Sequence, residues 1–120
     1  MTVSRRHCNI AEGDPIRVGE TRHIRFTVYD EVGEADISDV TGWTWYVTRG
    51  ETIPISQALI IVEIGDFVIA GSTATLTLWA SAYAAKMLSE VKGPSRWFHE
   101  LWVLVAGEPL CISYGDVWFR

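Results

Sequence analysis

Cysteine is scarce in this chain: there are two in 120 residues, Cys8 and Cys111, one toward each end. No C-x-x-C spacing brings them together, so neither a zinc site nor a redox pair is indicated. A disulfide joining the two ends would need close, well-aligned Cβ atoms, and a chain made in a reducing compartment is expected to keep both thiols free. Positive charge is also in short supply, with ten Lys and Arg against fifteen Asp and Glu and a formal net charge of −5. That balance argues against a phosphate-neutralising surface, so no nucleic-acid partner is expected. The basic cluster Arg5, Arg6 and His7 reads as a solvated tail. No apolar run approaches the roughly 20 residues that cross a bilayer, and "MTVSRRHCNIAEGD" lacks the apolar stretch of a signal peptide. The expectation is a chain with no membrane partner, made in the cytoplasm.

Catalytic patterns are missing as well. His7, His23 and His99 fall on separate segments with no H-x-x-x-H spacing. His99 and Glu100 are neighbours on a predicted strand and so point to opposite faces, which argues against a direct acid–base pair. There is no G-x-S-x-G elbow, no Walker or dinucleotide glycine spacing, and neither Glu12 with Asp14 nor Asp36 with Asp39 matches a calcium loop. The sequence therefore predicts a non-enzymatic protein with no cofactor and no metal.

What remains is a single domain of ordinary size, 48% apolar and 21% charged, long enough for one core. Apolar runs alternate with turn clusters along its length, the pattern of an all-β sandwich or barrel. Ile24, Phe26 and Val28 alternate with His23, Arg25, Thr27 and Tyr29, which predicts a half-buried strand ended by turn chemistry at Asp30 and Gly33. In "GWTWYVTRG", Trp43, Trp45 and Val47 share one face while Thr44, Tyr46 and Thr48 share the other. Short strands are predicted over residues 59–64, 66–70 and 73–79, with hairpin corners at Gly65-Asp66 and Gly71-Ser72. "ASAYAAKMLSEVKG" predicts one or two helical turns that cross between sheets. A hairpin follows: Trp97, His99, Leu101, Val103 and Val105 alternate with Phe98, Glu100, Trp102 and Leu104, "AGEP" turns, and residues 110–119 return. Both faces of that strand are apolar enough to need cover from another strand or another chain. The predicted core is Ile24, Phe26, Val28, Trp45, Val47, Leu76, Leu78, Leu101, Val103, Val105, Val117 and Phe119.

Six tryptophans stand on predicted strands, more indoles than a core of this size holds with their N–H groups satisfied. Some must lie at the surface, where aromatics mark contacts between proteins. Tyr46, Trp79, Trp97, Trp102 and Trp118 are the candidate interface residues. A rival reading is a carbohydrate-binding sandwich that uses exposed Trp and Tyr, with Trp102, Glu100 and Arg96 sharing one strand face.

The order of these features resembles the small immunoglobulin-like domains of tailed-phage virions, in particular the N-terminal domain of phage baseplate upper proteins and related tail or head accessory proteins. The points of resemblance are Gly19-Glu20-Thr21, Asp30, Gly33, Asp36-Ile37, Thr41-Gly42, and Gly115 with Val117, and they extend over about residues 12–120. The segment "YAAKMLSEVKGPSRW" departs from the family's more regular Tyr-Gly before the penultimate strand. The resemblance implies an all-β, immunoglobulin-like β-sandwich of about seven antiparallel strands with one short helical crossover. Residues 1–11 are then an N-terminal arm or first strand, and residues 12–120 the sandwich. It also implies a virion structural protein without catalytic residues, and the departure that no fibre or coiled-coil segment follows the domain gives the expectation of a stand-alone module. Its partners would be other virion structural proteins, in a homo-oligomer or symmetric array, as a tail or baseplate component first and a capsid or neck decoration protein second.

Overall fold

A computed structural model describes residues 3–37 and 40–120. Eight strands and one helix follow in the order β1 (Arg6–His7), β2 (Arg22–Thr27), β3 (Gly42–Thr48), β4 (Ile60–Glu63), β5 (Phe67–Ala70), β6 (Thr73–Leu78), α1 (Ala80–Leu88), β7 (Ser95–Val105) and β8 (Glu108–Phe119). They build two sheets, β1-β8-β7-β3-β4 and β2-β6-β5, which face each other as a sandwich-like layer pair. The inward faces of both meet in one apolar core containing Phe26, Trp45, Leu76 and Phe119.

Period-two alternation places these side chains. In β2 the burial runs inward at Ile24 and Phe26 and outward at His23 and Arg25, and in β6 it runs inward at Ala74, Leu76 and Leu78 and outward at the threonines between them. Of the predicted core, Val105 is half-buried at the end of β7 while the others are buried. Core residues also lie outside the alternating runs, among them Ile10 and Ile16, single apolar side chains in the N-terminal segment.

The structure corrects three expectations. Pairing is antiparallel except at the N-terminus, where β1 runs parallel to β8 in the register Arg6 with Ser113 and His7 with Tyr114. That parallel path continues through bridges from Ile10 to Val117 and from Ile16 to Phe119, so the arm forms the edge of the larger sheet. The helical crossover is longer than one or two turns, at nine residues. Its Tyr83 and Met87 are buried, and it is the tertiary contact of this face that lengthens it. The short segment between β4 and β5 is a 3-10 turn at Ile64–Asp66, so β5 begins at Phe67.

Cys8 and Cys111 are free thiols. Cys8 packs against the core beside the Ser113 side chain, whereas Cys111 lies on the outer face next to Glu100, so the sheet stands between them. A bulge explains how β8 keeps its faces in order: Leu101 pairs with Ser113 and Trp102 with Cys111, which leaves Ile112 as an extra, inward residue. No described helix is long and apolar enough to cross a membrane. Asp39, weighed with Asp36 as a calcium pair and set aside, lies outside the described residues.

Candidate interaction surface

The outer face of the five-stranded sheet carries an unusual load of aromatic side chains. Tyr46 comes from β3, Phe98 and Trp102 from β7, and Tyr114 and Trp118 from β8, placed side by side by the register Tyr46–Glu100–Tyr114, Thr44–Trp102–Cys111 and Arg96–Trp118. Between β7 and β4 the face is scooped into a groove of about 410 Å³ lined by Thr44, Tyr46, Ile55, Glu63, Ile64 and Trp102. Gly42 matters here, because a Cβ at that position would stand 2.8 Å from Leu104 Cδ1. Without it, Leu104 folds across β3 and closes one end of the groove.

A polar network runs along the same face. The Tyr46 hydroxyl donates to Glu100, the Cys111 thiol donates to the other oxygen of Glu100 at 3.4 Å, and Arg5 approaches that oxygen at 3.7 Å. The Arg5 guanidinium also lies 4.1 Å from the centre of the Tyr114 ring, a cation–π contact that ties the arm to β8. Burial, reinforced by Glu100, pushes the Tyr46 phenol up to about 12 and the Cys111 thiol up to about 11. Burial also raises Cys8. At neutral pH all three hold their protons, so neither thiol is a nucleophile and Tyr46 is a fixed hydrogen-bond donor.

The buried indole N–H groups of Trp43 and Trp102 have no well-aligned acceptor, and both residues line the groove. Such orphan donors are rare in a finished interior. Trp102 stands close enough to the Tyr46 hydroxyl to favour its ionised form slightly, without completing a hydrogen bond.

The candidate residues separate clearly. Trp102 and Trp118 are half-buried on the outer face. Tyr46 shares that face but is buried, with its hydroxyl spent on Glu100. Trp97 is withdrawn from the surface: it faces inward with Leu101 and Val103, as its odd position on β7 requires, and donates to Ser95 Oγ at 3.0 Å. Trp79 is 50% exposed but sits beyond the end of β6, where its N–H holds Asp66 Oδ1 at 3.1 Å. Sequence reasoning missed Ile55, Glu63 and Ile64, which wall the groove from a 3-10 turn, the end of β4 and the turn after it. Ile55 and Ile64 lie in 3-10 turns, where exposure has no period-two signature.

On the opposite, inward face of β7 lies the buried His99. Trp45 Nε1–H donates to His99 Nδ1 at 3.1 Å, so the ring proton sits on Nε2, which donates to the Cys8 carbonyl at 2.6 Å. Burial lowers His99 to about 4 and keeps it neutral. Among the described residues no group of three His, Cys, Asp or Glu side chains stands close enough to hold a metal ion.

The edge strands among those described are β1 and β4 in the larger sheet and β2 and β5 in the smaller, and Ile61 on β4 and Val68 on β5 are exposed. The chain matches no protein-family model and no curated protein.

Proposed function

We propose that this chain is an immunoglobulin-like virion structural module, without catalytic activity, that binds other subunits through the outer aromatic face and the open edge of its larger sheet. The observation that carries the reading is the strand order. With β2, β6 and β5 as strands B, E and D, and β3, β7 and β8 as C, F and G, the added β4 takes the position of C′. Trp45 then falls on strand C, where immunoglobulin domains keep a buried Trp against the B–F disulfide. In place of that disulfide stand Phe26 on β2 and His99 on β7, with ring centres 6.2 Å apart and the Trp45 ring 6.0 Å from His99.

The virion assignment rests on the motif points named above, and several of them are turn positions with a physical task. Asp30 Oδ1 accepts from the amides of Val32 and Gly33, and Gly19 takes a positive φ of 105° ahead of β2. The subunit-binding role draws on the groove with its orphan indole donors, and on β4, whose free edge accepts a further strand. A tail or baseplate component is the first assignment, and a capsid or neck decoration protein the second.

The carbohydrate alternative draws on Trp102, Glu100 and Arg96. Glu100 is already engaged by Tyr46 and Arg5, and Arg96 lies 3.9 Å from Asp116. Those engagements favour the assembly reading, because a sugar site needs its polar groups free for hydroxyls.

Light scattering coupled to size-exclusion chromatography, across a concentration series, tests the proposal. A discrete multimer supports it. A monomer throughout, together with binding on a glycan array, replaces it with the carbohydrate reading.

A further inference from the structure

The N-terminal segment is held by a seat cut for it. Its Cys8 carbonyl rests directly on Gly115, where a Cβ would stand 2.3 Å from that oxygen, and receives the His99 Nε2–H from the side. Asn9 Oδ1 accepts from the Asp116 amide at 3.2 Å, the Cys8 and Ile10 amides donate to the carbonyls of Tyr114 and Asp116 at 2.8 Å, and Ile10 enters the core. Further along, Arg5 reaches Glu100 and Tyr114. Nearly all these contacts are made to β7 and β8, the most distant part of the chain in sequence.

Beyond Ile10 the arm loses its seat. The ladder on β8 breaks off there and resumes at Ile16, although the two β8 partners, Val117 and Phe119, are only two residues apart. Five residues, 11–15, therefore loop out where one would bridge the distance. Ala11 in this loop takes a φ of 60°, a conformation that L side chains adopt at a cost, and Gly13 has open space around it. The far end of the loop is held, Arg22 donating to the Asp14 carbonyl at 2.8 Å, and past it the chain is clamped: the Tyr83 hydroxyl donates to the Glu20 carbonyl at 2.6 Å and Arg22 meets Glu20 at 2.8 Å. Slack and strain are thus concentrated between a well-fitted strand and a fixed body, the arrangement from which strand exchange starts.

We infer that residues 3–10 are an exchangeable edge strand whose alternative seat is β8 of a second copy of this chain. The inference rests on the assembly reading above and names its connection. A second copy is the fitting partner because it carries Gly115, His99, Asp116 and Glu100 in the register that the arm already satisfies. Extended, residues 11–15 reach roughly 17 Å, enough to hand the strand to an adjacent copy while Ile16 stays in place. Exchange trades each intramolecular bond for an identical intermolecular one and relieves Ala11, so concentration decides which form prevails. The groove and the β4 edge take no part in the exchange and stay available for contacts with further copies or other subunits.

The test uses full-length chains in which Cys8→Ser and Cys111→Ser remove the native thiols. One chain carries His7→Cys and the other Tyr114→Cys, two positions that are register partners with ring centres 5.4 Å apart. Mixed at high concentration and oxidised with glutathione disulfide, they are expected to give a disulfide-linked heterodimer about tenfold or more above a control pair in which Thr75→Cys replaces Tyr114→Cys. A single chain carrying both substitutions, oxidised at high dilution, is expected to close an internal disulfide, which establishes that the seat tolerates the cross-link. Internal closure with a multimer but no heterodimer overturns the exchange and leaves the assembly reading standing. Failure of internal closure overturns the docking register on which the inference depends. A monomer at every concentration overturns the exchange, and the assembly reading falls with it where the chain also binds on a glycan array.

Discussion

The indole N–H of Trp45 donates to His99 Nδ1 over 3.1 Å, and that bond decides the protonation of the imidazole. A second ring proton would have to sit on Nδ1, facing the indole N–H. Phe26 packs on the same ring from the opposite sheet, while Asp116, Glu100 and His7 are the charged or titratable groups that bear on it. Burial outweighs the carboxylates and lowers His99 to about 4.

Stability is accordingly expected to depend on pH through this residue. The unfolded chain takes up a proton near 6.5 and the folded chain near 4, so the contribution is fully present above 6.5 and is lost as the pH falls toward 4. Its size is on the order of 3 kcal/mol. Denaturant titrations at stepped pH check this: His99→Gln, less stable at neutral pH, should lose less between pH 6.5 and 4 than the parent chain. An unchanged slope would remove His99 from the account.

Gly115→Ala should unseat the arm. The added Cβ meets the Cys8 carbonyl at 2.3 Å in a backbone with φ of 154°, at a cost of about 2 kcal/mol or more. Trypsin is then expected to cut sooner at Arg5 and Arg6, measured by mass spectrometry, while the cooperative unfolding of the remaining sandwich persists. Gly13→Ala, in open space, serves as the neutral control.

Tyr83→Phe should cost about 1–2 kcal/mol, because the hydroxyl bridges the helix to the turn before β2, donating to Glu20 O and accepting from Gly19 N at 3.3 Å. Thermal unfolding measures the loss. Amide exchange should quicken at Arg17 through Glu20 with little change at β7.

Trp102→Ala should weaken self-association far more than it weakens the fold. A half-buried indole on a groove wall is the side-chain type that dominates interfaces, and its loss is expected to raise the dissociation constant about thirtyfold, or about 2 kcal/mol. Trp45→Ala removes a fully buried indole and should instead cost about 3–5 kcal/mol of stability. Sedimentation velocity and urea titration separate the two effects.

What was legible in the sequence was the part governed by period two. Ile24, Phe26 and Val28, the Trp43–Trp45–Val47 face, and Leu101 with Val103 are buried because alternation and burial coincide there. Trp97 shares that odd face of β7, so the same rule that placed Leu101 inside places Trp97 there too, against its nomination as a surface residue. Tyr46 escapes the rule in the other direction, since an outward position became buried under neighbours whose sheet order no local pattern reveals. The arm was opaque for a similar reason: Arg6 and His7 pair with residues more than a hundred positions away, and Ile10 and Ile16 stand singly among polar neighbours. Gly115, read only as a motif point of the closing strand with Val117, is the floor beneath the Cys8 carbonyl. The Ile112 bulge breaks alternation inside β8, which is why Leu110 and Ile112 could not be assigned to one face by counting from Phe119.

Amide hydrogen exchange on the full chain, compared between dilute and concentrated solution, tests the central claim most directly. Binding through the larger sheet predicts slower exchange on concentration at β4, Ile60–Glu63, and in the groove-wall segments at Ile55–Gln57 and Ile64–Asp66. Protection confined to β2 and β6, or the same profile at every concentration, would contradict it.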